Sequence, residues 1–139
     1  VGAWVAIREE ISCTSLLLGA AVVFWLIGFD ILYACMDVEA DRKNQLHSIP
    51  ERFGIETALK IAFASHAVMV IFLLVLWEPT VLLGWVYLSG VALVAGLLVY
   101  EHSLIKKDDL SKVNMAFFNV NGIISLGLMA FVIVDCIWV

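Results

Sequence analysis

The sequence predicts an all-α, polytopic membrane protein, a bundle of four transmembrane helices. Of its 139 residues, 63% are hydrophobic and 15% charged, against roughly 25% charged in a soluble domain. The mean hydropathy of +1.03 is spread along the whole chain, which excludes disorder and a disulfide-held secreted scaffold. Four apolar runs each reach the roughly 20 residues that a helix needs to cross a bilayer core of about 30 Å. A net charge of -5 excludes nucleic acid as a partner and leaves membrane lipid as the solvent.

The runs are Thr14 to Met36, Ala58 to Trp77, Leu82 to Tyr100 and Ala116 to Trp138. Each must be helical, because lipid offers backbone N–H and C=O groups no other partner. Residues 1–13 are mixed, with Arg8, Glu9 and Glu10, and lack the basic start and cleavage site of a signal peptide. The chain begins at Val1, so it reads as a piece of a longer protein. Trp77-Glu78-Pro79-Thr80-Val81 predicts a tight turn between the second and third spans. The other connections, Asp37 to Thr57 and Glu101 to Met115, are long and charged and so share one side.

That side carries Arg42, Lys43, Arg52, Lys60, Lys106, Lys107 and Lys112, and the other only Arg8, so the positive-inside rule makes the charged loops cytoplasmic. Trp4, Trp77, Trp85 and Trp138 fall toward the opposite face, as an interfacial belt does. Within the first loop, Ser48-Ile-Pro-Glu51 has capping-box spacing and Gly54 follows as a helix stop, which predicts a short surface helix there. Cys13, Cys35 and Cys136 show no C-x-x-C spacing and read as packing residues. Gly84, Gly90 and Gly96 recur every six residues and suit close helix approach without forming G-x-x-x-G.

The chemistry concentrates at the end of the first span. If the helix continues through it, Asp30, Tyr33, Asp37 and Asp41 recur every three or four residues and share one face. Asp30 lies within the apolar run, where a carboxylate costs roughly 2.5 to 3.5 kcal/mol and is expected to face a cavity, a cation or a partner. Like charges one turn apart repel, so Asp37 and Asp41 together suggest a cation between them. Mg²⁺ carrying a diphosphate suits such a pair, because it takes one or two carboxylates plus phosphate oxygens and water. Arg42 and Lys43 follow at once and could neutralise a phosphate leaving group. A solvated helix end, with Asp37, Glu39 and Asp41 beside their own Arg and Lys, accounts for the same spacing equally well, and Asp30 tips the balance toward a site.

Elsewhere the bland readings prevail. His66, inside the second span, is expected to be a hydrogen-bonded packing residue, His102 boundary surface, and Asp108 and Asp109 beside their lysines a solvated loop. Asp135 is expected to reach only headgroups. Asn114, Asn119 and Asn121 suit hydrogen bonding between helices.

The run F-D-I-L-Y-A-C-M-D-V-E-A-D-R-K-N-Q-L-H-S-I-P-E-R-F-G resembles the second aspartate-rich motif of the UbiA superfamily of membrane prenyltransferases, especially its 4-hydroxybenzoate polyprenyltransferase branch. The later Y-E-H-S-L-I-K-K-D-D-L-S-K-V-N-M-A-F-F-N-V-N-G resembles that branch's last loop and final helix. The resemblance implies a nine-helix membrane enzyme, with residues 1–139 as the C-terminal part of one membrane-embedded domain. It implies that Asp37 and Asp41 hold Mg²⁺ on a polyprenyl diphosphate and that Asp30 supports them. By the same resemblance Lys43 contacts the diphosphate and His47 stands where relatives often carry a basic residue. Asn119 or Asn121 would line the active cavity, neither as a catalytic group. The family's first motif, N-D-x-x-D-x-x-x-D, is absent from these residues, so it is expected in a missing N-terminal half, without which the chain would be inactive.

The reaction so implied is Mg²⁺-dependent transfer of a polyprenyl group to an aromatic acceptor such as 4-hydroxybenzoate. Its place would be ubiquinone or menaquinone biosynthesis at a bacterial inner membrane. The competing reading is a fragment of a cation- or proton-coupled transporter in which Asp30 and its neighbours bind the ion. That class expects a broken helix or an inverted repeat, and the sequence displays neither.

Overall fold

The computed structural model describes residues 1–78, 80, 83–105, 109–110, 113 and 119–138. The chain is an all-α polytopic membrane bundle: four of its helices are long and apolar enough to cross a membrane. A short α1 (Gly2–Arg8) ends at Glu9, whose left-handed backbone turns the chain. Ser12 and Ser15 then cap each other reciprocally at the start of α2 (Cys13–Ala34). Two short helices follow, α3 (Val38–Lys43) and α4 (Ile49–Phe53), before the spans α5 (Ile55–Trp77), α6 (Trp85–Leu104) and α7 (Asn121–Trp138).

The observed spans shift from their hydropathy bounds in ways that capping explains. Helix α2 stops two residues before Met36, because Met36 and Asp37 bond back only three residues, to Tyr33 and Ala34. Helix α5 begins three residues before Ala58, directly after Gly54, whose φ of 82° both ends α4 and starts α5. Helix α6 runs on to Leu104 and so absorbs Glu101 and His102, which the hydropathy reading leaves in a loop. Pro79 and Val81 of the expected turn, Leu82, Lys106, Lys107, Asp108, Lys112, Asn114 and residues 115–118 lie outside the described residues. The short helix expected after Ser48 is present, and the Ser48 hydroxyl accepts the Glu51 N–H at 3.3 Å.

Helix α2 packs most extensively on α5, which meets α6, which meets α7. Within a bilayer the apolar effect does not drive helices together, so small residues and interhelical hydrogen bonds must do so. Both are present. A Cβ at Gly90 of α6 would lie 2.8 Å from Phe131 Cβ of α7, and Gly28 of α2 admits the His66 ring of α5. Tyr87, 1% exposed, donates its hydroxyl to the Leu73 carbonyl across the α6–α5 seam at 2.7 Å. The main core centres on Ala21, Met69, Leu73, Val91, Val94 and Ile124. A second cluster joins Ile31, Leu32 and Cys35 to Ala58, Ala62, Ile105 and Val113, so both charged connections meet at one end of the bundle. Burial pushes the Cys35 thiol up to about 11.

Asp135 corrects the sequence reading. It is 3% exposed, and its carboxylate accepts the backbone N–H groups of Gly84 and, at 3.1 Å, Tyr87. A side chain of α7 therefore caps the N-terminus of α6, where unpaired N–H groups and the helix dipole both favour an anion.

Candidate functional site

The polar end of α2 carries the predicted site residues, but the helix does not continue through them. Asp30 and Tyr33 sit on the last turns of α2, and the chain then turns through Cys35–Met36. Asp37 becomes the residue that opens α3, with the Asp41 N–H donating to its carbonyl at 2.8 Å. Asp37 and Asp41 are thus brought onto one turn, as the spacing predicts, while the single four-residue stripe reaching back to Asp30 is broken. Nothing in Cys35-Met36-Asp37 announces the break, since it holds neither Gly nor Pro.

Asp30, Asp37, Arg42, Lys43 and His47 are exposed and Asp41 is half-buried. Among the described residues neither the Asp37 nor the Asp41 carboxylate is engaged in a hydrogen bond or ion pair. Two unpaired oxygen donors on one turn fit a hard cation, which takes carboxylates and completes its shell with water and phosphate. They do not enclose one, for no group of three His, Cys, Asp or Glu that could hold a metal occurs among the described residues.

The cations next to them divide. Arg42 lines a cavity of about 660 Å³, with Glu39, Cys35, Met36 and Ile55 among its walls, whereas Lys43 is not part of that lining. His47 Nδ1 lies 3.8 Å from Glu51 Oε2, across one turn of the surface segment. Asn119 stands exposed two residues before Asn121, with which α7 begins.

Sequence reasoning missed a buried polar layer just below this end. Trp25 Nε1 of α2 donates to Asn121 Oδ1 of α7 at 3.0 Å, and Asn121 Nδ2 reaches Glu101 Oε1 of α6 at 3.5 Å. Glu101 is 1% exposed, and its second oxygen is buried with no partner among the described residues. Beside it, His66 Nδ1 of α5 and His102 Nε2 of α6 lie 3.0 Å apart. His66 is hydrogen-bonded in the core, as expected, but its partner is the residue read as boundary surface. The partners stand 36 and 96 positions apart in sequence, so no local spacing announces them. The signal available was the one used for Asp30: an acid on an apolar run is by default engaged with something.

The helices are those of a membrane-embedded protein, and the model of the UbiA prenyltransferase family matches residues 1–123, so the chain belongs to that family. It is similar to proteins named 4-hydroxybenzoate octaprenyltransferase. That of Burkholderia mallei is 29% identical over 132 residues, covering 92% of this chain and 45% of that protein. That of Cupriavidus metallidurans is 32% identical over 124 residues (86% and 40%), and that of Citrobacter koseri 30% identical over 129 (93% and 43%). The chain therefore spans less than half the length of these relatives. No solved structure gives a significant match.

Proposed function

We propose that this chain is the C-terminal, four-helix part of a nine-helix enzyme that transfers a polyprenyl group from its diphosphate to an aromatic acceptor such as 4-hydroxybenzoate. The observation that carries the reading is the pair of carboxylates, Asp37 and Asp41, unengaged among the described residues, on the first turn of α3, inside the stretch matched by the family. The names of the relatives favour 4-hydroxybenzoate as acceptor.

Asp37 and Asp41 would hold Mg²⁺, which when bound would supply charge neutralisation for a departing diphosphate. Lys43, Arg42 and His47 add cationic donors to the same phosphates. Asp30 and Tyr33, on the last turns of α2, face the developing allylic cation, and a carboxylate there stabilises positive charge. Asn119, at the start of the last span, is the residue of that helix assigned to the active cavity. The acceptor ring attacks the allylic carbon as the C–O bond to diphosphate breaks, and then loses its proton; no covalent link to the enzyme is required. The remaining carboxylates of the metal site belong to the N-terminal half, so this chain alone makes no product. The charged loops face the cytoplasm at a bacterial inner membrane.

The test is prenyl transfer by the full-length protein in lipid, with polyprenyl diphosphate and 4-hydroxybenzoate, comparing wild type with Asp37→Ala and Asp41→Ala. Each variant, and removal of Mg²⁺, is expected to lower the rate by about 100-fold or more. Variants that retain the wild-type rate would overturn the metal roles. A wild type silent toward several aromatic acceptors would return the transporter reading.

A further inference from the structure

The contact between Gly28 and His66 joins the buried polar layer to α2, the helix that leads into the Asp37–Asp41 turn. Gly28 is buried, and a Cβ added there would overlap Cδ2 and Nε2 of the His66 ring well inside 3.0 Å, a separation that real Cβ atoms do not show. The ring borders a cavity of about 260 Å³, so its partners and not a lack of space hold it in place. His66 is 2% exposed, its other nitrogen is held by His102 at 3.0 Å, and the two rings meet nearly edge to face at 5.1 Å. His102 is itself braced edge-on by Phe63, with ring centroids 5.2 Å apart. Displacing His66 would leave two imidazoles without their mutual hydrogen bond in an apolar seam, where unpaired polar groups are costly. The ring is a stop, and α2 rests on it with its backbone.

Asp30 follows Gly28 by two residues on the same rigid helix, and Asp37 opens the next turn of chain. We propose that His66, fixed by His102 and seated against Gly28, is a positioning residue that sets how closely α2 lies on α5. It thereby places Asp30 and the Asp37–Asp41 turn against the diphosphate. The inference rests on the transferase reading. Relieving a new Cβ at Gly28 moves α2 off α5 by about 1 Å, a displacement that costs on the order of 100-fold when it reaches a reacting centre.

The experiment compares full-length wild type, Gly28→Ala, His66→Ala and the double variant Gly28→Ala/His66→Ala. Prenyl-transfer kinetics are read as KM for the diphosphate, kcat and the Mg²⁺ concentration at half-maximal rate. Binding of Mn²⁺ in the presence of inorganic pyrophosphate is followed separately by electron paramagnetic resonance, and unfolding midpoints in detergent are recorded. Gly28→Ala is expected to raise the half-saturating Mg²⁺ and to weaken Mn²⁺–pyrophosphate binding about tenfold or more. His66→Ala, which removes the stop, is expected to weaken both by about tenfold as well, and the double variant, in which the new methyl meets the space left by the ring, to lie closer to wild type than either single change. A Gly28→Ala protein that loses thermal stability but keeps its metal and diphosphate affinities would overturn the proposal, as would a double variant no better than Gly28→Ala. If the wild type transfers nothing yet binds Mn²⁺ and pyrophosphate, the proposed reaction fails, while the Mn²⁺ comparison still decides the role of His66.

Discussion

Replacing Asp135 by Ala removes the acceptor for two backbone donors at once, the N–H groups of Gly84 and Tyr87 at the N-terminus of α6. Hydrogen bonds to a charged group contribute about 1.5 to 3 kcal/mol each, and an anion at a helix N-terminus adds about 0.3 to 1 kcal/mol. Asp135 is 3% exposed, so water does not readily replace it, yet some relaxation of the first turn will recover part of the loss. The expected destabilisation is about 3 kcal/mol for Asp135→Ala. Asp135→Asn keeps an acceptor oxygen and loses only the charge, about 1 kcal/mol. The assay is reversible unfolding of the full-length protein in mixed micelles titrated with a denaturing detergent, followed by helical circular dichroism. An Asp135→Ala protein within about 0.5 kcal/mol of wild type, the range of an inconsequential surface change, would refute the cap. So would equal losses for Ala and Asn.

Tyr87→Phe deletes the hydroxyl that donates to the Leu73 carbonyl at 2.7 Å and is expected to lower stability by about 1 kcal/mol in the same assay, with no change in overall helicity. Cys35 is 2% exposed and its thiol is pushed up to about 11 by burial. Its raised pKa keeps the thiolate scarce at neutral pH, so maleimide labelling at Cys35 in a Cys13→Ser/Cys136→Ser protein should be slow at pH 7. The rate should rise about tenfold per pH unit through pH 9 without reaching a plateau. Labelling that levels off near pH 8.5, the range of an ordinary thiol, would contradict that environment.

The spans were legible because a lipid-crossing helix is written in bulk composition, which survives ignorance of every contact. Ser48, Glu51 and Gly54 were legible for a different reason: caps and stops are local, and the residues that make them are adjacent in sequence. Two kinds of feature were not. The end of α2 at Ala34 has no breaker residue to mark it, and the apolar pattern runs past it to Met36, so the unbroken stripe from Asp30 to Asp41 was an overextension. The pairings of Trp25 with Asn121, His66 with His102 and Asp135 with Gly84 join separate helices, and no periodicity within one helix specifies its neighbour's register. Of the candidate site, the Asp37–Asp41 turn was readable from spacing. The division between Arg42, in a cavity wall, and Lys43, outside it, needed coordinates.

The cap on α6 also has a consequence for how the molecule is made. Residues 84 and 87 emerge from the ribosome some fifty positions before Asp135, so α6 must enter the membrane with the N–H groups of its first turn still bonded to water or headgroups. Only when α7 inserts and delivers its carboxylate is that turn finished. A nascent chain halted before Asp135 would carry three of the spans yet present an uncapped helix end to the bilayer. Such an end is a chemical mark by which an incomplete chain differs from a finished one.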